Sequence, residues 1–271
     1  MRIQLLALIA CGAAFAQTPK IGDGGILNGA DFQKGKPITP GSLISIFGTQ
    51  LASRTAQADS IPLSTSLGGV TVQFVTDTKT ATAPLLFVAP DNAAAGASSQ
   101  INAQVPWDLI PNNTTATVNV VVTNNGVASA PTAVTVGPFS PGLFTSGNRA
   151  IAVNDDGSLA WPTGAVAGVN SHPAKVGDVV TIYATGLGAV DIPAQTGNNS
   201  LDQLRHTLVT PIITIGGVTA QVLFSGLSPQ FVGVNQLNVT IPSVTAGDAV
   251  QIQIQTGGVT TPAGVTIAVS Q

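Results

Sequence analysis

The chain has 271 residues, only 8% of them charged, a net charge of −3, no glutamate, and an abundance of Gly, Pro, Thr, Asn and Val. Nine Lys and Arg, scattered singly, form no patch that could neutralise a phosphate backbone, which argues against a nucleic-acid partner. Good helix formers are scarce and no stretch sustains a 3.6-residue period, so β-strands joined by Gly, Pro and Asn turns are expected throughout.

The first sixteen residues read as an export address: Arg2 supplies the positive end, Ile3 to Ala13 the apolar core, and Ala14-Phe15-Ala16 an A-x-A cleavage site. The mature chain is then expected to begin at Gln17. The alternative is a lipoprotein box at Leu8 to Cys11, which would leave Cys11 lipid-anchored. Cys11 is the only cysteine, so no disulfide is expected in the mature protein, and no later segment is apolar enough to span a membrane.

Beyond the leader, two stretches run in parallel. Gly41-Ser42-Leu43-Ile44-Ser45-Ile46-Phe47 matches Gly177-Asp178-Val179-Val180-Thr181-Ile182-Tyr183 at an offset of 136. Leu67-Gly68-Gly69-Val70 recurs as Ile215-Gly216-Gly217-Val218 at 148, and Ala83 to Phe87 recurs as Ala220 to Phe224 at 137. Gln100-Ile101-Asn102 recurs as Gln236-Leu237-Asn238 at 136, Val118 to Thr123 as Val250 to Gln255 at 132, and Val134-Thr135-Val136 as Val265-Thr266-Ile267 at 131. Such a series implies internal duplication of one unit of about seven short strands, an antiparallel Greek-key sandwich with one packed and one wet face. The Pro and Gly cluster at Gly137 to Gly142 marks the boundary, giving a leader over 1–16 and sandwich domains over 17–137 and 138–271. The changing offsets place insertions around Thr71 to Thr82 in the first copy and around Ala189 to Leu208 in the second. With the first-copy loop Ala93 to Ser99, these are expected to be surface connections.

Each repeat, with its Gly-turn, alternating strand, Gly-Gly turn and strand ending in Pro, resembles the immunoglobulin-like fold shared by plexins and transcription factors (IPT/TIG). The whole mature chain resembles the Solibacter-type uncharacterised C-terminal domain family of secreted acidobacterial proteins. The residues that carry this are Pro40 to Thr49, Ala83 to Val88, Gln100 to Trp107, Ser140 to Thr145 and Thr181 to Gly188, together with the tail from Gly257 to Val269. The resemblance implies export and a β fold, and it supplies no catalytic residues and no cofactor.

Chemistry is sparse. Only two histidines are present and there is no G-x-S-x-G elbow, so no catalytic residue is assigned and the protein is read as a non-enzyme. His206 shares the second-copy insertion with Asp191, Asp202 and Arg205, and that set, together with Trp161 beside Pro162, is the candidate ligand-binding group. Asp155 and Asp156, in Asn154-Asp155-Asp156-Gly157-Ser158, offer oxygen ligands of the kind calcium takes, although the spacing is that of a plain turn. The expectation is a non-catalytic secreted or cell-surface protein for binding, adhesion or structure, its partner an unknown extracellular protein or glycan. Its first rival is a carbohydrate-binding module, which would expose Trp161, Trp107 and Tyr183 on one face. A remote third reading is a hydrolase working through the loop Asp and His residues.

Overall fold

The computed structural model describes residues 18–271, so the leader, Cys11 and the cleavage site lie outside the described residues. Among these residues there is no α-helix, and the alternating segments form strands whose ladders are antiparallel except where Arg149–Ala150 and Ala174–Lys175 pair in parallel with Thr266–Ser270. The fold is an all-β assembly of sandwiches with immunoglobulin-like strand arrangement.

The first half contains β1 (Lys20–Asn28), β2 (Leu43–Thr49), β3 (Val70–Val75), β4 (Leu85–Ala89), β5 (Ser99–Gln104), β6 (Ala116–Asn124) and β7 (Thr132–Val136). One layer runs β1-β2-β5-β4 and ends on the short strand Ala56–Gln57; the facing layer runs β7-β6-β3 and ends on Thr80–Thr82. The second half contains β8 (Val179–Thr185), β9 (Ile212–Ile215), β10 (Val218–Leu227), β11 (Asn235–Thr240), β12 (Gly247–Thr256) and β13 (Thr266–Ser270). Its central order is β8-β11-β10-β9-β12-β13.

The ladders repeat in detail. Leu43 faces Gln104 and Ile46 faces Ile101 across β2 and β5; Val179 faces Thr240 and Ile182 faces Leu237 across β8 and β11, each residue 136 further along. Even an irregularity recurs: the register slips between Leu85 and Phe87 in β4 and between Val222 and Phe224 in β10. The halves differ where Pro84 stands opposite Gln104. Proline donates no ladder hydrogen bond, so Thr80–Thr82 and β4 are separate strands, one in each layer. Gln221 stands at the matching place in β10, and that strand runs unbroken from one layer into the other.

Burial follows the pleat. Val70, Val72 and Phe74 of β3 are fully buried against Val118, Val120 and Val122 of β6, and Ile213 and Ile215 of β9 pack in the same way with Ile252 and Ile254 of β12. One core cluster runs from Ile21 to Val136 and a second from Leu143 to Val269. Two-residue hairpin turns close several ladders; Asn125 and Gly126, with φ of 47° and 82°, and Gly216 and Gly217, with 57° and 80°, have the doubly left-handed backbone that matches strand twist.

The Gly-Gly match of the two repeats does not correspond in space. Leu67-Gly68-Gly69-Val70 turns into β3, whereas Ile215-Gly216-Gly217-Val218 turns out of β9, although β3 and β9 hold the same place in the ladder, Val72 facing Val122 and Ile213 facing Ile254. The expected surface connection from Thr71 to Thr82 is therefore largely core strand; only the turn from Thr76 to Lys79 projects from it.

A buried hydrogen-bonded junction joins the halves. The Leu43 amide donates to Thr185 Oγ1 at 3.0 Å, and that hydroxyl donates onward to the Gly233 carbonyl at 2.7 Å. Asn28 Nδ2 donates to the Ser140 carbonyl at 2.7 Å. Gln104 bridges both sides: its Nε2 donates to the Gly41 carbonyl at 3.1 Å and its Oε1 accepts from the Gly197 amide at 2.7 Å.

Candidate functional site

The second-copy insertion from Ala189 to Leu208 folds back onto the first half. The Leu63 amide donates to the Gly197 carbonyl at 2.8 Å, and the Trp107 amide donates to Thr196 Oγ1 at 3.1 Å. Its far end returns to its own sandwich: the Thr207 amide donates to the Ser225 carbonyl and the Leu227 amide to the Arg205 carbonyl, so residues 205 to 207 add an edge to β10. That position mirrors Ala56–Gln57 beside β4.

The charged residues of the insertion divide into two separate pairs. Arg205 is buried and grips Asp202 with both terminal guanidinium nitrogens, at 2.7 and 2.9 Å, while it also bonds Ser200 Oγ and the Pro193 carbonyl. The guanidinium beside Asp202 holds that carboxyl down at about 2, and the ion pair raises Arg205 in turn. With these bonds made, Arg205 and Asp202 are a clamp that holds the insertion in shape, and the expectation that Arg205 meets ligand is corrected because its side chain is buried, whereas the Asp202 side chain is 60% exposed. Asp191 accepts from the His206 amide at 2.9 Å and lies 3.0 Å from His206 Nδ1; that amide is the main reason its carboxyl is lowered.

Trp161 is also corrected. It is only 3% exposed, and its Nε1 donates to the Ala150 carbonyl at 2.7 Å, so the ring is core and the three-ring platform with Trp107 and Tyr183 does not exist. In the Asn154 to Ser158 turn, Asp156 Oδ1 accepts from both the Ser158 amide and hydroxyl, and Oδ2 lies 3.1 Å from His172 Nε2. The Ser158 hydroxyl is the chief cause of the lowering of Asp156 to about 2. Those bonds hold Asp156 in the turn, while Asp155 is exposed. Ser158 is fully buried, and its hydroxyl donates a hydrogen bond to the Asp156 carboxylate at 2.6 Å. Among the described residues, no three His, Cys, Asp or Glu side chains gather where they could hold a metal.

What the insertion does create is a cleft of ≈ 770 Å³ between the halves. Ala189 to Asp191, Pro193 and Leu208 line it from the second half, Trp107 to Asn112 and the β3 turn at Thr78 and Lys79 from the first. Trp107 is half-buried, its indole lying over Gly41, where an added Cβ would come within 2.2 Å of the ring. Lys79 Nζ is ion-paired with the Asp108 carboxylate and also donates to the Asp108 carbonyl at 2.8 Å; the ammonium lowers the carboxyl. Leu208 is 59% exposed at the cleft. Of the residues singled out from sequence only Asp191 and Trp107 reach this cleft, whereas Lys79, Asp108 and Leu208 went unnoticed. Their only sequence signal is position, in the two segments where the halves differ and beside Trp107.

No protein-family model and no curated protein sequence matches the chain. Among solved structures it is similar to SGBP-B of a Bacteroides ovatus mixed-linkage glucan utilization locus, in complex with a mixed-linkage heptasaccharide, at 14% identity and TM-score 0.36, over 93% of this chain and 45% of that one. It is also similar to SGBP-B from a Bacteroides uniformis xyloglucan utilization locus, at 14% identity and TM-score 0.26, over 93% and 50%. A third is the chicken CNTN1 FN1–FN3 structure, at 10% identity and TM-score 0.23, over 93% and 65%. The chain thus spans about half the length of the first two. At these low TM-scores none of them speaks to this chain's ligand, and the sandwich assignment rests on its own strand order.

Proposed function

We propose that this protein is a non-catalytic, exported binding or adhesion protein that holds an extracellular partner in the cleft between its halves. One observation carries the reading: the β3 turn and the Ala189 to Leu208 insertion converge on one cleft with a half-exposed tryptophan. A tryptophan, an exposed leucine and flanking charges form the mixture that anchors partner chains at interfaces. No nucleophile with an adjacent base lines the cleft, which fits binding rather than turnover. Export and the family resemblance remain part of the same proposal, resting on the leader and on the motifs from Pro40 to Val269.

Binding of labelled mature protein to the envelope of the producing cells tests the reading. Lys79→Glu places like charges beside the exposed Asp108 and is expected to weaken binding about tenfold while leaving the thermal midpoint nearly unchanged. Unchanged affinity, or turnover of the partner by the purified protein, would count against it.

A further inference from the structure

The outer, half-buried faces of the two sandwiches carry the same side-chain device at the same ladder positions. On the first, Ser45 Oγ and Gln100 Nε2 both donate to Asn102 Oδ1, at 3.0 and 2.8 Å. On the second, Thr181 Oγ1 and Gln236 Nε2 both donate to Asn238 Oδ1, at 3.3 and 3.1 Å. In each, the asparagine oxygen is saturated, so its Nδ2 and the glutamine Oε1 point their hydrogen-bonding capacity elsewhere.

Aromatic rings flank both amide pairs. Phe47 stands opposite Gln100 and Phe87 opposite Asn102; Tyr183 stands opposite Gln236 and Phe224 opposite Asn238. A further exposed ring leans on each row, Phe32 on Phe47 with centroids 6.1 Å apart and Phe231 on Tyr183 at 5.8 Å. Phe32 has φ of 54°, a left-handed conformation that a bulky side chain adopts only under constraint, yet it is 48% exposed. Folding gains little from a strained ring that is left in water, which points to a role outside the fold. Phe231 is 50% exposed.

We infer that these two faces are paired glycan-binding surfaces, each taking an uncharged, hydroxyl-rich sugar chain. The rings offer flat apolar area to sugar faces, and the amides offer one donor and one acceptor to hydroxyls. No strand position on the aromatic and amide side of β2, β5 and β4, or of β8, β11 and β10, bears a charge, which matches a neutral ligand. A cleft of ≈ 720 Å³ lies against Phe47 and Gln100 on the first face; Lys20, Asp23 and Lys34 also line it. Two like surfaces on one chain suit a repeating polymer, because the second contact is intramolecular once the first is made.

Affinity electrophoresis of the mature protein through gels containing a β-glucan, an α-glucan or a mannan tests the inference, with polygalacturonate as the charged control. At least one neutral polymer is expected to retard the protein, and polygalacturonate is not. Phe32→Gly with Phe231→Ala removes both outer rings while relieving the Phe32 backbone, and is expected to cut retardation at least tenfold, each single change giving a smaller loss. Gln100→Glu with Gln236→Glu, close in shape but charged, is expected to do the same. Leu201→Asp, at an exposed position outside both the cleft and the first-face groove, should leave retardation unchanged. Migration unaffected by all three neutral polymers, equal retardation by polygalacturonate, or full retardation of a folded double variant overturns it.

Discussion

Trp161→Ala is expected to lower the unfolding free energy by about 3–5 kcal/mol, the usual cost of emptying a buried aromatic site. The ring is 3% exposed and lies in the loop after the Asn154 to Ser158 turn, where the Ala160 amide donates to the Ala152 carbonyl and the Ala268 amide donates to the Ala160 carbonyl. Truncation also leaves the Ala150 carbonyl without the indole donor, which adds about 1–3 kcal/mol of that cost. Trp161→Phe keeps most of the apolar contact and loses only the bond, so it should fall between. Urea unfolding followed by far-ultraviolet dichroism gives both values. The folded fraction of either variant should bind the envelope as tightly as the parent, because Trp161 does not line the cleft.

Gly41→Ala is expected to cost about 2–4 kcal/mol and to weaken ligand binding as well. Gly41 has φ of 79°, where an L side chain costs about 1–2 kcal/mol. A Cβ there would also meet the Trp107 indole at 2.2 Å, so the ring must leave its seat on the backbone. The Gly41 carbonyl accepts from Gln104, whose other end holds Gly197 of the insertion, so displacement on one side of the junction reaches the other. A single change should therefore shift both the unfolding midpoint and the affinity. Trp161→Ala shifts only the first, and the pair separates a loss of core from a displaced cleft.

The all-β architecture was legible because strand alternation at Leu43 to Phe47 and at Gln251 to Gln255 is a period-2 signal, and those residues form β2 and β12. The matched sequence segments at offset 136 also occupy matched ladder positions. Two alignments went astray for physical reasons. Gly-Gly-Val marks any tight hairpin, so the turn before β3 was paired with the turn after β9. In the closing strand the sequence pairs Val134 with Val265, whereas Val134 faces Val118 and Ile267 faces Val250, the residue 132 beyond Val118. That is a two-residue slip, which leaves every side chain on its own face and so hides from a hydrophobic pattern.

The candidate site was less legible. Asp202 and Arg205 are three apart and beside His206, a spacing that fits a ligand group as well as a clamp; only the burial of Arg205 and its bonds to Ser200 and Pro193 decide for the clamp. Trp161 beside Pro162 carries no pattern that separates core from surface. The cleft itself joins residues more than a hundred positions apart, Lys79 with Leu208, and arises only from the way the insertion crosses the junction.

The central claim is that binding occurs in this cleft, and two exposed leucines of the same insertion test it most directly. Leu208, 59% exposed, lines the cleft, and Leu201, 69% exposed, does not. Neither contributes to the core, so Leu208→Asp and Leu201→Asp should both fold with nearly unchanged midpoints. Measured side by side for binding to the envelope of the producing cells, Leu208→Asp is predicted to lose at least tenfold in affinity and Leu201→Asp to match the parent. Equal affinity for both variants, or a loss confined to Leu201→Asp, would contradict the account.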